Sequence, residues 1–168
     1  LVIVMRFWTA IAAFFRKPPA ETPRARNDEL PILTILVPLY REAEVVPNLI
    51  EAISRLDYPS WRLDVKLLVE ADDPGTIAAV EAQRLPDCFE VIPVPPGAPR
   101  TKPKALNYAL AFARGDIIAI YDAEDLPSPG QPRAAMAAFS RGPSNLAVVQ
   151  APLQIHNGAD SWIARQFA

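Results

Sequence analysis

The distribution of apolar positions divides the chain into three stretches. Residues 1–15 are apolar except for Arg6 and Thr9, and Arg16, Lys17, Pro18 and Pro19 follow them. Residues 18–31 are rich in Pro, Arg, Asp and Glu and read as a linker. From residue 32 onward, short apolar runs alternate with segments of helical period. Ile32–Val37 is a continuous apolar run stopped by Pro38, the pattern of a strand buried on both faces. Residues 43–56 place Val45, Val46, Leu49, Ile50, Ile53 and Leu56 on one helical face, which tolerates Pro47 in a first turn. Val65–Val69 predicts a second strand. Asp73-Pro74 predicts an N-cap with proline at the first helical position, for a helix reaching about Arg84. Phe89–Val94 predicts a third strand, and Pro95–Pro103 a loop. Pro103 opens a helix carrying Leu106, Ala109, Leu110 and Ala113 on one face, with Gly115 as its C′ residue. Ile117–Tyr121 predicts a fourth strand, residues 131–140 a helix, and Leu146–Gln150 a further strand; Asp160 is placed to cap a last helix.

Strands alternating with helices predict an α/β fold, a Rossmann-like parallel or mixed sheet with helices on both faces and right-handed crossovers. Ligands of such sheets bind beyond the carboxyl ends of the strands. That rule collects four polar segments at one rim: Tyr40, Arg41 and Glu42; Glu70, Asp72 and Asp73; Arg100 to Lys104; and Asp122-Ala123-Glu124-Asp125. Asp64 and Asp116 precede strands, belong to the opposite rim, and receive no role.

Composition narrows the chemistry. With 168 residues and 51% apolar content, the chain suits one domain with a sizeable core. A net charge of −2 argues against a nucleic-acid surface, which needs clustered Lys and Arg. The single cysteine, Cys88, excludes an internal disulfide and fits a reducing compartment. The single histidine, His156, reads as ordinary surface and argues against a Cys/His zinc site. Neither GxGxxG, a Walker A loop nor GxSxG occurs.

The acidic tetrad beyond the fourth strand offers hard oxygen ligands of the kind that hold Mg²⁺ or Mn²⁺ together with substrate phosphates. A solvated turn or an N-cap would use the same residues, and the strand that enters together with the Pro-Ser-Pro-Gly loop that leaves favours the metal reading. Lys102 and Lys104 flank Pro103 at a helix start, where a positive dipole end suits a diphosphate. Asp72 is placed to meet a base or ribose, and Asp73 to cap the helix. The apolar N-terminus closed by Arg16 and Lys17 has the pattern of the cytoplasmic end of a membrane-spanning helix. An amphipathic surface or core helix is the alternative, since no run reaches about 18 apolar residues.

These segments resemble the family 2 glycosyltransferases with the GT-A fold. Ile35-Leu36-Val37-Pro38-Leu39-Tyr40-Arg41-Glu42 is similar to their first strand and turn, and Glu70-Ala71-Asp72-Asp73 to their second acidic motif. Lys102-Pro103-Lys104-Ala105-Leu106-Asn107 is similar to their Lys-x-x-x-Leu-Asn helix start, and Tyr121-Asp122-Ala123-Glu124-Asp125 to their Asp-x-Asp motif. Gln150-Ala151-Pro152 resembles a segment of the membrane-embedded, cellulose-synthase-like branch. The resemblance covers about residues 32–168, with residues 1–17 as the end of a transmembrane or membrane-proximal helix and 18–31 as a linker.

The resemblance implies inverting transfer of a sugar from a nucleoside-diphosphate sugar, a UDP-sugar for preference, to the hydroxyl of a glycan or lipid-linked acceptor. It implies a donor site of Tyr40, Glu42, Asp72, Lys102, Lys104 and Asp122, with Asp72 at the base and a lysine at the diphosphate. It implies Mg²⁺ or Mn²⁺ on Asp122 and Glu124, and an inner or plasma membrane location with a cytoplasmic active face in polysaccharide or glycan synthesis. Glu124 stands where the family usually has aspartate. The family's general base, in a Thr-Glu-Asp motif, and its Gln-x-x-Arg-Trp motif do not occur here, and the base is expected beyond residue 168. Two other functions fit parts of the pattern: a non-catalytic regulatory or export module that keeps the fold, and a sugar-phosphate nucleotidyltransferase. The latter usually needs a Gly-rich loop where this chain has Pro38 to Glu42.

Overall fold

The two apolar runs with the strongest buried-strand pattern pair at the centre of the sheet. The structure, a computed structural model, describes residues 26–151. Four strands, β1 (Leu33–Leu39), β2 (Leu63–Glu70), β3 (Phe89–Val94) and β4 (Ile117–Ile120), form one sheet in the order β3-β2-β1-β4. All the pairings are parallel. Every residue of β1 and β2 is buried, as continuous apolar runs in an α/β sheet should be. The helices are α1 (Val46–Ser54), α2 (Pro74–Glu81), α3 (Lys102–Ala109) and α4 (Gln131–Arg141).

Alternate residues of the strands feed two cores. Ile35, Val37, Val65, Leu67 and Val69 pack with Val46, Leu49 and Ile53 of α1, Val80 of α2 and Met136 of α4. On the other face Leu36, Leu68, Ile92 and Val94 pack with Ala105 and Ala109 of α3. Alanines there let α3 lie close to the sheet. The α/β architecture expected from the sequence is therefore present, with its strand ends within two residues of the expected bounds. β1 runs through Pro38 to Leu39, past the expected stop. Its ladder to β4 ends at the Leu36–Ile120 pair, and among the described residues no strand lies on the side that Pro38 faces.

Three expectations are corrected. Leu146–Gln150 is not a strand. Leu146 donates its N–H to the Pro143 carbonyl at 2.9 Å in a turn, the segment pairs with none of the described strands, and Val148 stays exposed. Gly115 is not a helix C′ residue, because α3 ends at Ala109 and a short 3₁₀ turn, Leu110–Phe112, follows. Its lack of a side chain instead lets the lead-in to β4 touch β1: a Cβ there would sit 2.6 Å from the Thr34 amide nitrogen and 2.7 Å from the Ile32 carbonyl oxygen. The stretch assigned to a linker is packed at its end. Leu30 is buried in the core, and the Pro31 carbonyl accepts the Tyr58 hydroxyl at 2.6 Å.

At the amino-terminal rim the ends of the strands are held by buried charge. Asp64 accepts from Thr34 Oγ1 at 2.9 Å, from the Arg114 N–H at 3.1 Å and from Arg114 Nε at 2.9 Å. Its other partner, Lys66 Nζ, lies 2.9 Å away and also pairs with Glu90. Burial alone would raise the Asp64 carboxyl, but the bonds from Lys66, Arg114 and Thr34 outweigh it and hold the group below the usual carboxylate range. Asp64, given no role on sequence grounds, links β1, β2 and the approach to β4.

No helix among the described residues is long and apolar enough to cross a membrane. The apolar run 1–15, His156 and the helix capped by Asp160 lie outside the described residues.

The close approach at Gly115 is testable. Gly115→Ala must push apart two backbone segments, and should cost about 1–3 kcal/mol of stability, read as a lower urea midpoint with unchanged slope. A midpoint equal to the parent's would show that the contact is not tight.

Candidate functional site

The carboxyl ends of the strands open into a cleft of about 220 Å³. β1 brings Tyr40 and Glu42 to it, β2 brings Glu70, and the start of α3 brings Arg100, Thr101 and Lys102. Leu68 and Ala105 form part of its apolar floor.

The turn after β1 is held in an uncommon conformation. Arg41 has φ 57°, in the left-handed region that a side chain disfavours. Asp73 compensates: its Oδ2 accepts the Arg41 N–H at 2.6 Å and the Thr76 hydroxyl at 2.7 Å, while Oδ1 accepts the Thr76 N–H at 3.2 Å. Thr76 Oγ1 in turn accepts the Glu42 N–H at 3.2 Å. Asp73 is therefore the expected N-cap of α2 and also the clamp on the β1 turn. Burial would raise its carboxyl, but the Arg41 and Thr76 hydrogen bonds prevail and hold it below the usual range. Glu42 behaves oppositely. Desolvation raises its pKa above the usual carboxylate value, with smaller contributions in the same direction from Glu124 and Asp122 and opposing ones from the Tyr40 N–H and Lys102.

The acidic turn keeps the alternation of the strand that precedes it. Tyr121 and Ala123 point into the core, whereas Asp122 and Glu124 are exposed. Asp125 closes the turn, accepting the Asp122 N–H at 2.8 Å. Asp122 Oδ1 accepts from Lys102 Nζ at 2.8 Å. Among the described residues, no three Asp, Glu, His or Cys side chains converge closely enough to hold a metal unaided. Asp122 and Glu124, both felt by Glu42, offer two hard carboxylates. That number fits a Mg²⁺ or Mn²⁺ ion that completes its shell with phosphate oxygens and water.

The two lysines flanking Pro103 part company. Lys102 lines the cleft, while Lys104 turns away, donating to the carbonyls of Pro95 at 2.6 Å and Gly97 at 3.2 Å. The helix start adds few free amides, since Pro103 has none and the Lys104 and Ala105 N–H groups both reach the Thr101 carbonyl. The positive character of this wall thus comes from the Lys102 side chain more than from the helix end. Asp72 stands at the cleft's edge, paired with Arg100. Arg100 also donates to the Tyr40 hydroxyl at 3.2 Å and lies 5.8 Å from its ring centroid.

Of the residues expected from sequence, Tyr40, Glu42 and Lys102 share the cleft. Asp122 joins them through Lys102 and Asp72 through Arg100, Glu124 flanks the turn, and Lys104 stays out. Arg100 and Glu70, collected at this rim from the sequence but not placed in the expected donor site, also line the cleft. The signal for Glu70 is an acid as the last residue of a buried strand: its Oε2 is buried without a hydrogen-bond partner among the described residues, 3.7 Å from Lys104 Nζ.

A family model described as "Glycosyltransferase like family 2" matches residues 31–168. The probable glycosyltransferase YdaM of Bacillus subtilis is 32% identical over 106 residues, covering 62% of this chain and 25% of that protein. A beta-monoglucosyldiacylglycerol synthase of Synechocystis is 29% identical over 109 residues, covering 64% of this chain and 22% of that one. The chain thus spans about a quarter of the length of the curated relatives it matches. Among solved structures, the mannosyltransferase PcManGT of Pyrobaculum calidifontis, in complex with GDP-Man and Mn²⁺, has a TM-score of 0.64 at 30% identity, covering 82% of this chain and 39% of that one. Staphylococcus aureus TarS has a TM-score of 0.54 at 20% identity, covering 70% and 38%, a likeness of fold. The sheet with its flanking helices is the GT-A architecture of these neighbours.

The Asp73 clamp generates a prediction. Asp73→Ala removes the cap and the bond to the Arg41 N–H, leaves the Thr76 hydroxyl that meets Glu42 without its own acceptor, and should cost about 1–2 kcal/mol in urea unfolding. Because the folded pKa is lowered, the stabilisation is complete above the unfolded value of about 3.9 and is lost as pH falls through the folded value. The difference in melting temperature between parent and variant should therefore shrink below about pH 4; a pH-independent difference would contradict a role for the ionised carboxylate.

Proposed function

This chain belongs to the family 2-like glycosyltransferases, and from that premise we propose that its cleft binds a nucleoside-diphosphate sugar as the donor part of an inverting sugar transferase. The supporting observation is the juxtaposition, at one rim of a parallel sheet, of two exposed carboxylates on the Asp122–Asp125 turn with Lys102 on the facing wall. In this reading Lys102 meets the diphosphate, and Tyr40, Arg100 and Asp72 form the edge nearest the nucleoside. Asp122 and Glu124 hold a divalent ion, Mg²⁺ or Mn²⁺. The bound ion supplies neutralising charge at the leaving diphosphate, where negative charge develops. The named mannosyltransferase, seen with GDP-Man and Mn²⁺, supports the pairing of nucleotide sugar and divalent ion. Transfer would join an acceptor hydroxyl to the anomeric carbon and release the nucleoside diphosphate.

The acceptor is proposed to be a lipid-linked or glycan hydroxyl at the cytoplasmic face of the inner or plasma membrane. The apolar run 1–15 with Arg16 and Lys17 supports this, as does the relative named for a diacylglycerol glycolipid.

Calorimetric titration of UDP and GDP into the full chain, with and without Mn²⁺, tests the donor site. One nucleotide should bind with Mn²⁺ present, and an Asp122→Ala/Glu124→Ala variant should lose about tenfold or more in affinity. Absence of binding by a folded sample, or binding indifferent to both substitutions, would remove the proposal. The membrane location predicts that the full chain partitions with membranes on cell fractionation and that deleting residues 1–17 releases it. Equal distribution of the two would refute that part alone.

A further inference from the structure

Resting on the donor-site reading above, we propose that Lys102 stands in for the divalent cation at the acidic turn, which makes the cation and the donor diphosphate bind cooperatively. Lys102 Nζ lies 2.8 Å from Asp122 Oδ1, on an oxygen that a cation at this turn would need. A lysine ammonium carries its charge at neutral pH, so the pair is an ion pair between unlike charges. The other nearby cations are committed elsewhere. Arg100 holds Asp72 and the Tyr40 hydroxyl, and Lys104 holds the Pro95 and Gly97 carbonyls.

A divalent ion and an ammonium on one carboxylate repel each other, so the ion alone must first displace Lys102. A diphosphate in the cleft removes the conflict. Lys102 lines that cleft from the first turn of α3, so the phosphate oxygens offer the ammonium a new partner and free Asp122 for the ion. By linkage each ligand then raises the other's affinity by the same factor. The side chains of Lys102 and Asp122 are 54% and 57% exposed, so the pair is a solvent-screened one. Such pairs correspond to an effect of about two- to five-fold in affinity. The lysine thus acts as an internal counterion that discourages occupation of the turn by a metal without donor.

The test is direct titration of Mn²⁺ into the full chain, reading free Mn²⁺ by electron paramagnetic resonance, with and without UDP or GDP. The parent should bind Mn²⁺ more tightly with nucleotide than without. Lys102→Gln should bind Mn²⁺ alone about two- to five-fold more tightly than the parent, and nucleotide should add less to that affinity. Lys102→Arg, which keeps the charge, should stay close to the parent. Equal or weaker Mn²⁺ binding by Lys102→Gln would overturn the inference. Asp122→Asn separates the two readings. If it abolishes Mn²⁺ binding while Lys102→Gln fails to strengthen it, the donor site stands and the counterion role falls. If Mn²⁺ binding ignores Asp122→Asn, both fall.

Discussion

The parallel pairing of β1 with β2 on one side and β4 on the other is the constraint on which everything else rests. Because the strands run the same way, their carboxyl ends share one rim. Because β1 and β2 are buried on both faces, polar side chains along them are confined largely to the ends. A ligand site follows from the direction of the strands before any single side chain is considered. The crossover helices then decide which turn faces which: α2 starts beside the β1 turn, and α3 starts opposite the acidic turn.

Two buried aspartates secure the ends of this arrangement, and they work in the same way. Asp64 at the start of β2 gathers donors from Thr34, Lys66 and Arg114; Asp73, just past its end, gathers donors from Arg41 and Thr76. In both, burial disfavours the charge and several directed hydrogen bonds overcome it. The first locks strand to strand at the rim away from the cleft. The second holds Arg41 in its left-handed conformation and so aims Tyr40 and Glu42. Neither is free to meet a ligand, although both are acids in a chain whose acids attract functional attention.

The charges around the cleft are paired with one another. Arg100 is matched by Asp72 and Lys102 by Asp122, while Lys104 lies near Glu70. A charged ligand entering such a site exchanges partners rather than finding bare charge. Exchange at the exposed pairs costs little, because water already screens them. The buried Oε2 of Glu70 differs, having no hydrogen-bond partner among the described residues to give up.

By itself the sequence determined the class of fold, most of the core and the four segments that make the rim, because continuous apolar runs and helical spacing are local patterns. It also marked Asp73 as a cap, since a cap bonds to an amide only three residues ahead. Tertiary structure alone decided which of two neighbouring lysines faces the cleft, because Lys102 meets Asp122 of the acidic turn while Lys104 reaches the Pro95 and Gly97 carbonyls. It also decided that Gly115 serves a contact with β1, that the apolar stretch Leu146–Gln150 starts from a turn instead of joining the sheet, and that Arg100 bridges Asp72 and Tyr40. The physical reason is distance along the chain: these outcomes depend on partners brought from remote segments, or on whether such a partner arrives, and local pattern carries no record of either.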